Sequence, residues 1–495
     1  MTISPNMTTR SCPYLGTIDR KALDFDFEKL CSVSLSKVNV YACLVCGKYF
    51  QGRGKSTHAF THSVSESHHI FLNLETLKFY CLPDNYEVQD SSLEDILYVL
   101  KPTFTREQIV ELDHSTELVT AHDGKQYYPG IVGLNNLKHN DYCNVIFQAL
   151  SHVTPLRNFF LIESNYTQVE KVNTTDERYL LSHRFGELLR KLWNPRNFKT
   201  HVSPHEMLQA IVLLSKKKFE FIRQSDPILF LGWFLNSLLG PKREKNSIVK
   251  RTFQGKIRIA SRLLLPDLTA HMTPSSSTEE PQLKLAEQEN YDITSFLYLT
   301  LDLPCMPLFP EKDKKGKVIK PRVSLYELLK KFDGKTTHEI RGYKLDAAIK
   351  RYEIVKLPRY LVLYYKRFTK NTFFTEKNTH LVEFSINKLD LTHLLSQEKV
   401  SLPKGAGGEP IEGVNKQMSE VEVVKQYNYT LIANIVHDGE ADAGKGTYRA
   451  HILHRATGKW FELQDLYVTE LADTTRVTLS EPYIQIWEMK GLHNH

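Results

Sequence analysis

Two thiols and a run of imidazoles stand out among the residues of this chain that could do chemistry. Cys43-Leu44-Val45-Cys46-Gly47 is a Cys-x-x-Cys knuckle, and His58, His62, His68 and His69 follow it. Zinc takes four soft or borderline ligands in a tetrahedron; a thiolate pair close in sequence fills two corners, and histidines brought back by the chain fill the others. The same spacing also serves a redox dithiol, or two buried thiols with no chemistry. A redox pair belongs at a helix start in a βαβ unit, whereas this knuckle runs into Gly47 and a Gly52-Arg53-Gly54 loop. The pattern therefore points to a metal. Spacing alone leaves open which of the histidines complete it.

The wider cysteine census agrees. Cys12, Cys31, Cys43, Cys46, Cys81, Cys143 and Cys305 are odd in number and crowd toward the N-terminal side, which suits a reduced compartment and a metal site better than a disulfide framework. The 64 basic and 57 acidic side chains leave a net charge of +7. That mild excess permits a nucleic-acid or ribonucleoprotein environment, and a solvated basic surface accounts for it equally well. A hydrophobic share of 41% with 24% charged residues is ordinary for a soluble globular protein. No apolar run is long enough to cross a bilayer, and Met1 to Arg10 lacks the apolar core of a signal peptide. The expectation is a soluble intracellular protein, nuclear or cytosolic, with no membrane partner.

At 495 residues the chain has room for two or three domains, each with its own core. Residues 1–90 read as a small metal-stapled module with short strands at Ile70 to Leu74 and Leu77 to Cys81. Residues 91–126 read as a helical connector. Ser92-Leu93-Glu94-Asp95 opens an apolar run ending before Pro102, and Thr105-Arg106-Glu107-Gln108 is a capping-box pattern ahead of Ile109 and Val110. Residues 127–495 form a larger α+β region, helical first and then strand-rich, with β-rich runs at Tyr360 to Tyr365, Tyr429 to Val436, Tyr448 to His454 and Tyr483 to Trp487. Thr273 to Asn290, Glu311 to Lys320 and Ser401 to Lys416 are expected to be exposed loops.

Beyond spacing, Tyr41 to Gly47, then Gly52-Arg53-Gly54, then His58-Ala59-Phe60-Thr61-His62 resembles the zinc finger of ubiquitin-specific proteases. The resemblance implies one zinc ion held by Cys43, Cys46, His62 and His68, with His58 and His69 in reserve. Many fingers of that family hold further zinc ions. Here the corresponding places read Cys31 with Ser34 and Cys81 with Asp84, so a single complete site remains. Some family fingers grip the free carboxyl end of ubiquitin through an arginine and aromatic rings. Arg53 and Tyr80 stand at those places, while Gln51 replaces the usual preceding cysteine.

A second resemblance covers most of the chain from Gly130 onward. Gly133-Leu134-Asn135-Asn136-Leu137, with Asn144 and Gln148-Ala149-Leu150, is similar to the cysteine box of the same proteases, and Leu357 to Phe368 is similar to another of their signatures. It implies a papain-like α+β fold of thumb, palm and fingers, without the usual zinc ribbon, since no cysteine lies between Phe253 and Pro304. The family's nucleophile position holds Asp141, its oxyanion-stabilising position His139, its general-base position Thr447, and its orienter position Gln464, with Asp465 adjacent. Attack on an isopeptide carbonyl needs a sulfur activated by a base; a carboxylate of ordinary pKa ~3.9 is a far weaker nucleophile. Aspartate at a helix start can instead accept orphan N–H bonds and meet the positive end of the dipole. Cys143 lies two residues on, a rotation of roughly 200° around a helix, and so faces away from the cleft if Asp141 faces it.

The single-zinc finger, Asp141 and the run Leu23 to Cys31 together resemble one branch of the family, the inactive protease-like proteins of the spliceosomal U4/U6.U5 tri-snRNP. That resemblance implies a nuclear, non-catalytic scaffold in pre-mRNA splicing. Its implied partners are the large U5 scaffold protein, the U5 helicase and other tri-snRNP proteins, with RNA contact secondary. Two other functions are weighed against it: a ubiquitin reader acting through the finger, and an active deubiquitinase using Cys143.

Overall fold

The computed structural model describes residues 12–167, 177–238, 247–266, 283–285, 288–307, 309, 311, 312, 314, 316, 319–341, 347–370, 375–395, 426–440 and 445–491. They fall into two compact units, Met1–Val249 with Ala433–Thr474, and Lys250–Ile432 with Thr475–His495.

The first unit opens with strands β1 (Val40–Cys43) and β2 (Tyr49–Gln51), helix α1 (His58–Glu66), and strands β3 (Ile70–Asn73), β4 (Phe79–Cys81) and β5 (Tyr86–Val88). The strands form one antiparallel sheet in the order β2-β1-β3-β4-β5. All four residues of β1 and all four of β3 are buried, as central strands covered on both faces should be. Helix α2 (Glu94–Leu100) follows, and α3 (Arg106–Glu111) starts with the expected capping box, in which Thr105 and Gln108 each bond the other's backbone N–H. The connector is not a loose tether. Leu93, Ile96 and Leu100 share a core with Val40, Ala42 and Leu72 of the finger and with Phe198.

The run Leu23 to Cys31 has a mechanical role in this unit. Asp24 pairs with Lys199 at 2.9 Å and Asp26 with Lys191 at 2.7 Å, and Asp26 also accepts the Ser203 N–H at 2.9 Å. These partly exposed ion pairs tie the run to the segment Lys191 to Ser203.

At the centre of the unit lies α4 (Asp141–Ser151), buried on every side along its whole length. A helix can be buried all round only if its polar side chains find partners. The Gln148 amide donates to the Val132 carbonyl at 2.8 Å, and Ser151 Oγ donates to the Gln148 carbonyl at 2.8 Å. Around α4 lie α5 (Thr154–Leu161), α6 (Glu177–Leu192), α7 (His205–Leu214) and α8 (Pro227–Ser237). Asp226 caps α8 by accepting the Ile228 N–H, with Pro227 in the first turn, the arrangement that supplies orphan donors and a preset φ.

The second unit carries β6 (Gly255–Pro266), β7 (Leu283–Leu285), β8 (Asn290–Phe296), β9 (Ala347–Lys356) and β10 (Tyr360–Lys366). Antiparallel pairing joins β6 to β7, β8 and β9. Five of the seven residues of β10 are buried, matching the apolar and aromatic run Tyr360 to Tyr365. The first unit resumes with the later part of β11 (Asn428–Gly439), then β12 (Gly446–His454), β13 (Lys459–Gln464) and β14 (Tyr467–Leu471), a consecutive antiparallel meander.

One expected loop is corrected. Leu283–Leu285, inside Thr273 to Asn290, pairs with Leu264–Pro266 as a strand; its Leu-Lys-Leu alternation is a short period-two signal outweighed by the polar residues around it. Most of the rest of that stretch and all of Ser401 to Lys416 lie outside the described residues. Within Glu311 to Lys320 the Ile319 N–H closes onto the Glu311 carbonyl at 2.8 Å. Among the described residues no helix is long and apolar enough to cross a membrane.

Candidate functional site

The knuckle is shaped by Gly47, which lies at φ +73° and returns its N–H to the Cys43 carbonyl at 2.9 Å. A side chain at this position would strike the Ala22 carbonyl oxygen at 2.2 Å, so glycine is needed for both the turn and the close approach. Cys43 ends β1, His62 projects from α1, and Ser67, left-handed at φ 58°, ends the helix and turns the chain so that His68 comes back. The potential ligand atoms of Cys43, Cys46, His62 and His68 all lie within 4.8 Å of one another. Cys43 Sγ is 3.6 Å from His68 Nδ1, Cys46 Sγ is 3.4 Å from His62 Nε2, and His62 Nε2 is 3.1 Å from His68 Nδ1. A zinc tetrahedron with bonds of about 2.3 Å to sulfur and about 2.0 Å to nitrogen has S···N edges of about 3.5 Å and N···N edges of about 3.3 Å. Two thiols and two imidazoles at those separations suit zinc in type and in spacing. Phe50 stacks on the His62 ring at 4.1 Å and fixes its plane.

The two reserve histidines stand apart from this cluster. His69 Nδ1 lies 2.8 Å from the Leu82 carbonyl, and its ring packs 4.0 Å from that of Tyr14. His58 is the first residue of α1 and is not in the cluster. Arg53 lies over Tyr80 with its guanidinium carbon 4.2 Å from the ring centre, and it also bonds Asn85.

The second group of residues gathers at the head of α4. Asp141 is only 3% exposed. Its Oδ2 accepts from the Gln224 amide at 2.7 Å and from the Tyr448 N–H at 3.0 Å. Gln224 donates as well to the Gly446 carbonyl at 2.9 Å, so one amide ties the helix start to β12. Asp141 Oδ1 has no hydrogen-bond partner among the described residues. Burial, with a smaller contribution from Asp465, pushes the Asp141 carboxyl above its ordinary range. The expected capping of α4 by Asp141 therefore takes another form: its acceptor oxygen serves β12 and Gln224, because Asn140 holds the N-cap position and Asp141 is the first helical residue.

Across from it, β12 alternates buried and outward side chains. Gly446 and Tyr448 are buried and Thr447 is exposed. The Gln464 amide donates to Thr447 Oγ1 at 3.3 Å, so the expected pair lies side by side. His139 is exposed, and its N–H is held by the Phe221 carbonyl at 2.9 Å. Asp465 does something different from Gln464. It sits at φ 51° between β13 and β14 and accepts from Asn136 at 2.9 Å and from Asn144 at 2.8 Å. Asn140 joins the same net, donating to Asn144 Oδ1 at 3.0 Å.

Cys143 is 0% exposed, and burial pushes its thiol well above the ordinary value. Reactive cysteines sit in accessible, electropositive surroundings that favour the thiolate. Cys143 has neither. Of the histidines near in sequence, His437 meets the Tyr448 ring edge-on at 4.9 Å, His451 bonds Asn434 and Glu462, and His454 bonds Thr457.

Sequence reasoning missed the bridging role of Gln224 and the asparagine net. Asn136 lies in the loop before α4, Asn140 at its N-cap and Asn144 within it, so no local periodicity joins the three to Asp465.

This combination of a Cys/His finger and a buried central helix beside a strand meander is that of a ubiquitin hydrolase. Residues 132–487 match the ubiquitin carboxyl-terminal hydrolase family, and residues 31–93 match the zinc finger of ubiquitin hydrolases and other proteins. The chain belongs to the ubiquitin carboxyl-terminal hydrolase family and has its protease fold behind an N-terminal finger. It is 53% identical over 492 residues to human ubiquitin carboxyl-terminal hydrolase 39, which spans 98% of this chain and 81% of that protein. It is 40% identical over 484 residues to the probable mRNA-splicing protein ubp10 of Schizosaccharomyces pombe, covering 96% of this chain and 88% of that one. The crystal structure of an essential yeast splicing factor superposes with a TM-score of 0.71 at 28% identity, over 97% of this chain and all of the other.

Proposed function

We propose that this protein is a catalytically inactive member of its family that serves pre-mRNA splicing as a scaffold of the U4/U6.U5 tri-snRNP. One observation carries the inactivity. The side chain at the head of α4 is a buried carboxylate already engaged by Gln224 and the Tyr448 backbone, with a hydroxyl and an amide, Thr447 and Gln464, beside it. In this reading Asp141, Thr447 and Gln464 occupy the former triad positions and His139 the former oxyanion position. Peptide hydrolysis through a thiol needs a nucleophile and base in hydrogen-bond reach, and these groups offer neither.

The splicing role is supported by the names of the similar proteins, the mRNA-splicing protein of fission yeast and the essential splicing factor of yeast. It carries with it a nuclear location and, as partners, the U5 scaffold protein, the U5 helicase and other tri-snRNP proteins. The division into a finger (1–90), a connector (91–126) and a protease-like domain (127–495) belongs to the same reading. So does a single zinc ion on Cys43, Cys46, His62 and His68, which would fix the returning turn after α1 and supply no catalysis. Capture of the tagged full chain from nuclear extract tests it. U5 and U4/U6 components should co-purify, and their absence would overturn the scaffold role.

A ubiquitin-reading finger is the second reading, favoured by the Arg53–Tyr80 stack. Titration with ubiquitin, and with ubiquitin lacking its terminal glycines, separates the two, because only a reader binds in a glycine-dependent way.

A further inference from the structure

The rim of the degenerate site is basic, and its cations have no ionic partners among the described residues. Lys138 and His139 precede Asp141, and the His139 N–H bonds the Phe221 carbonyl at 2.9 Å, which ties them to the segment that follows α7 and carries Lys216, Lys217, Lys218 and Arg223. Gln224 then reaches Asp141 itself. Lys138, His139, Lys216, Lys217, Lys218 and Arg223 are all exposed, and none takes part in an ion pair among the described residues. The one carboxylate in Lys216 to Arg223 is Glu220. Some half-buried cations of this unit are paired, as Arg184 is with Glu187 and Glu206, and Arg449 with Asp438 and Glu462.

Local backbone geometry sharpens the point. Lys216 and Lys217 follow the end of α7 at φ 53° and 62°, left-handed positions that glycine or asparagine occupies with less strain. Lysine at both is a poor choice for the turn, and the charge it displays is what it adds. Half-buried Phe221 and Ile222, 52% exposed, give apolar surface between the cations.

We propose that this rim binds the phosphate backbone of a nucleic acid, which in the splicing setting proposed above is RNA. Lysine is depleted at protein–protein interfaces, and arginine, with its rigid fork, is the preferred partner for carboxylates. A lysine-dominated, unpaired patch instead fits a row of phosphates, where point charges displace counterions and adjoining apolar surface supports unstacked bases. The identification of the nucleic acid as RNA rests on the splicing reading; the phosphate chemistry does not.

Fluorescence anisotropy of the purified full chain with short labelled RNA, single-stranded in one arm and duplex in the other, tests this. For single strands, log K should fall with log salt at about −0.7 per phosphate neutralised, giving a slope of roughly −3 for the five fixed cations of the rim when one is offset by Glu220. The triple variant Lys216→Asn, Lys217→Asn, Lys218→Gln should reduce that slope by about 2 and weaken binding about tenfold or more near 0.1 M salt. Its unfolding midpoint should hold or rise, because asparagine suits the left-handed positions. Replacing all three with arginine should retain binding. If the triple variant unfolds early, Lys138→Gln with Arg223→Gln gives a second reading, and a slope lowered by about 1.4 is expected. Unchanged RNA binding in both neutralised variants overturns the proposal. So does displacement of the RNA by polyglutamate of equal charge at lower concentration, which would make the partner an acidic protein. Tighter duplex than single-strand binding would keep the phosphate surface and assign it to helical RNA. The scaffold role is judged separately: capture of U5 and U4/U6 components by the triple variant should persist even if RNA binding is lost.

Discussion

Replacing Asp141 with alanine probes the helix start most directly. The change removes the acceptor of the Gln224 amide at 2.7 Å and of the Tyr448 N–H at 3.0 Å. Gln224 keeps its bond to the Gly446 carbonyl, while the Tyr448 N–H loses its Asp141 acceptor. Loss of such a buried hydrogen bond costs about 1–3 kcal/mol, equivalent to a roughly five- to 160-fold faster exchange of that amide. An opposing effect depends on pH. Burial raises the folded-state pKa of Asp141 above its unfolded value of about 3.9, so folding favours the protonated form. The stability Asp141 contributes is therefore full below the unfolded value and is lost as pH rises through the folded value. Alanine does not titrate. The cost of Asp141→Ala should be largest at the acid end and shrink as pH rises, while Asp141→Asn, which keeps an acceptor oxygen, should show no such trend relative to alanine. Hydrogen exchange of the β12 amides in the full chain, followed across pH, reads both effects. An unchanged Tyr448 amide, or a cost that grows with pH, would refute the reasoning.

Two further outcomes are expected. Metal analysis of the purified chain should find one equivalent of zinc, lost in His62→Ala and His68→Ala and kept in His58→Ala and His69→Ala, because only the first two place ring nitrogens in the thiol cluster; retention by the His62 variant would reassign the ligands. Asp113→Ala should destabilise the chain by about 3–5 kcal/mol, since Arg157, 1% exposed and bonded twice to Asp113 at 2.9 Å, would keep a buried charge. Adding Arg157→Met should restore most of that loss in thermal unfolding, and a cost below the surface-pair level would contradict the burial argument.

Much of this architecture could be read locally. A metal site in the finger was legible because two thiols and four histidines lie within a short stretch of chain, whereas the choice of His62 and His68 among those histidines came from the family resemblance. The α3 capping box and the doubly buried β10 were legible for the same reason: each signal is complete within a few neighbouring residues. Contacts made at long range were not. Gln224 meets Asp141 across 83 positions and Gly446 across 222, and nothing in the local pattern specifies such a tie. The choice between Gln464 and Asp465 also escaped sequence, because a one-residue slip moves a strand side chain to the opposite face; the left-handed turn at Asp465 sends it to Asn136 and Asn144 instead. The basic rim was hidden by a net charge that looks diffuse until one backbone bond brings two segments together.

The central claim is that the cleft of this protease fold has no working nucleophile. Incubating the full chain with ubiquitin carrying a thiol-reactive C-terminal electrophile, alongside an active family member, tests it in one step. Asp141 at the helix start and a sealed Cys143 predict no covalent adduct under conditions that label the active enzyme fully. An adduct that disappears in Cys143→Ala would contradict the claim.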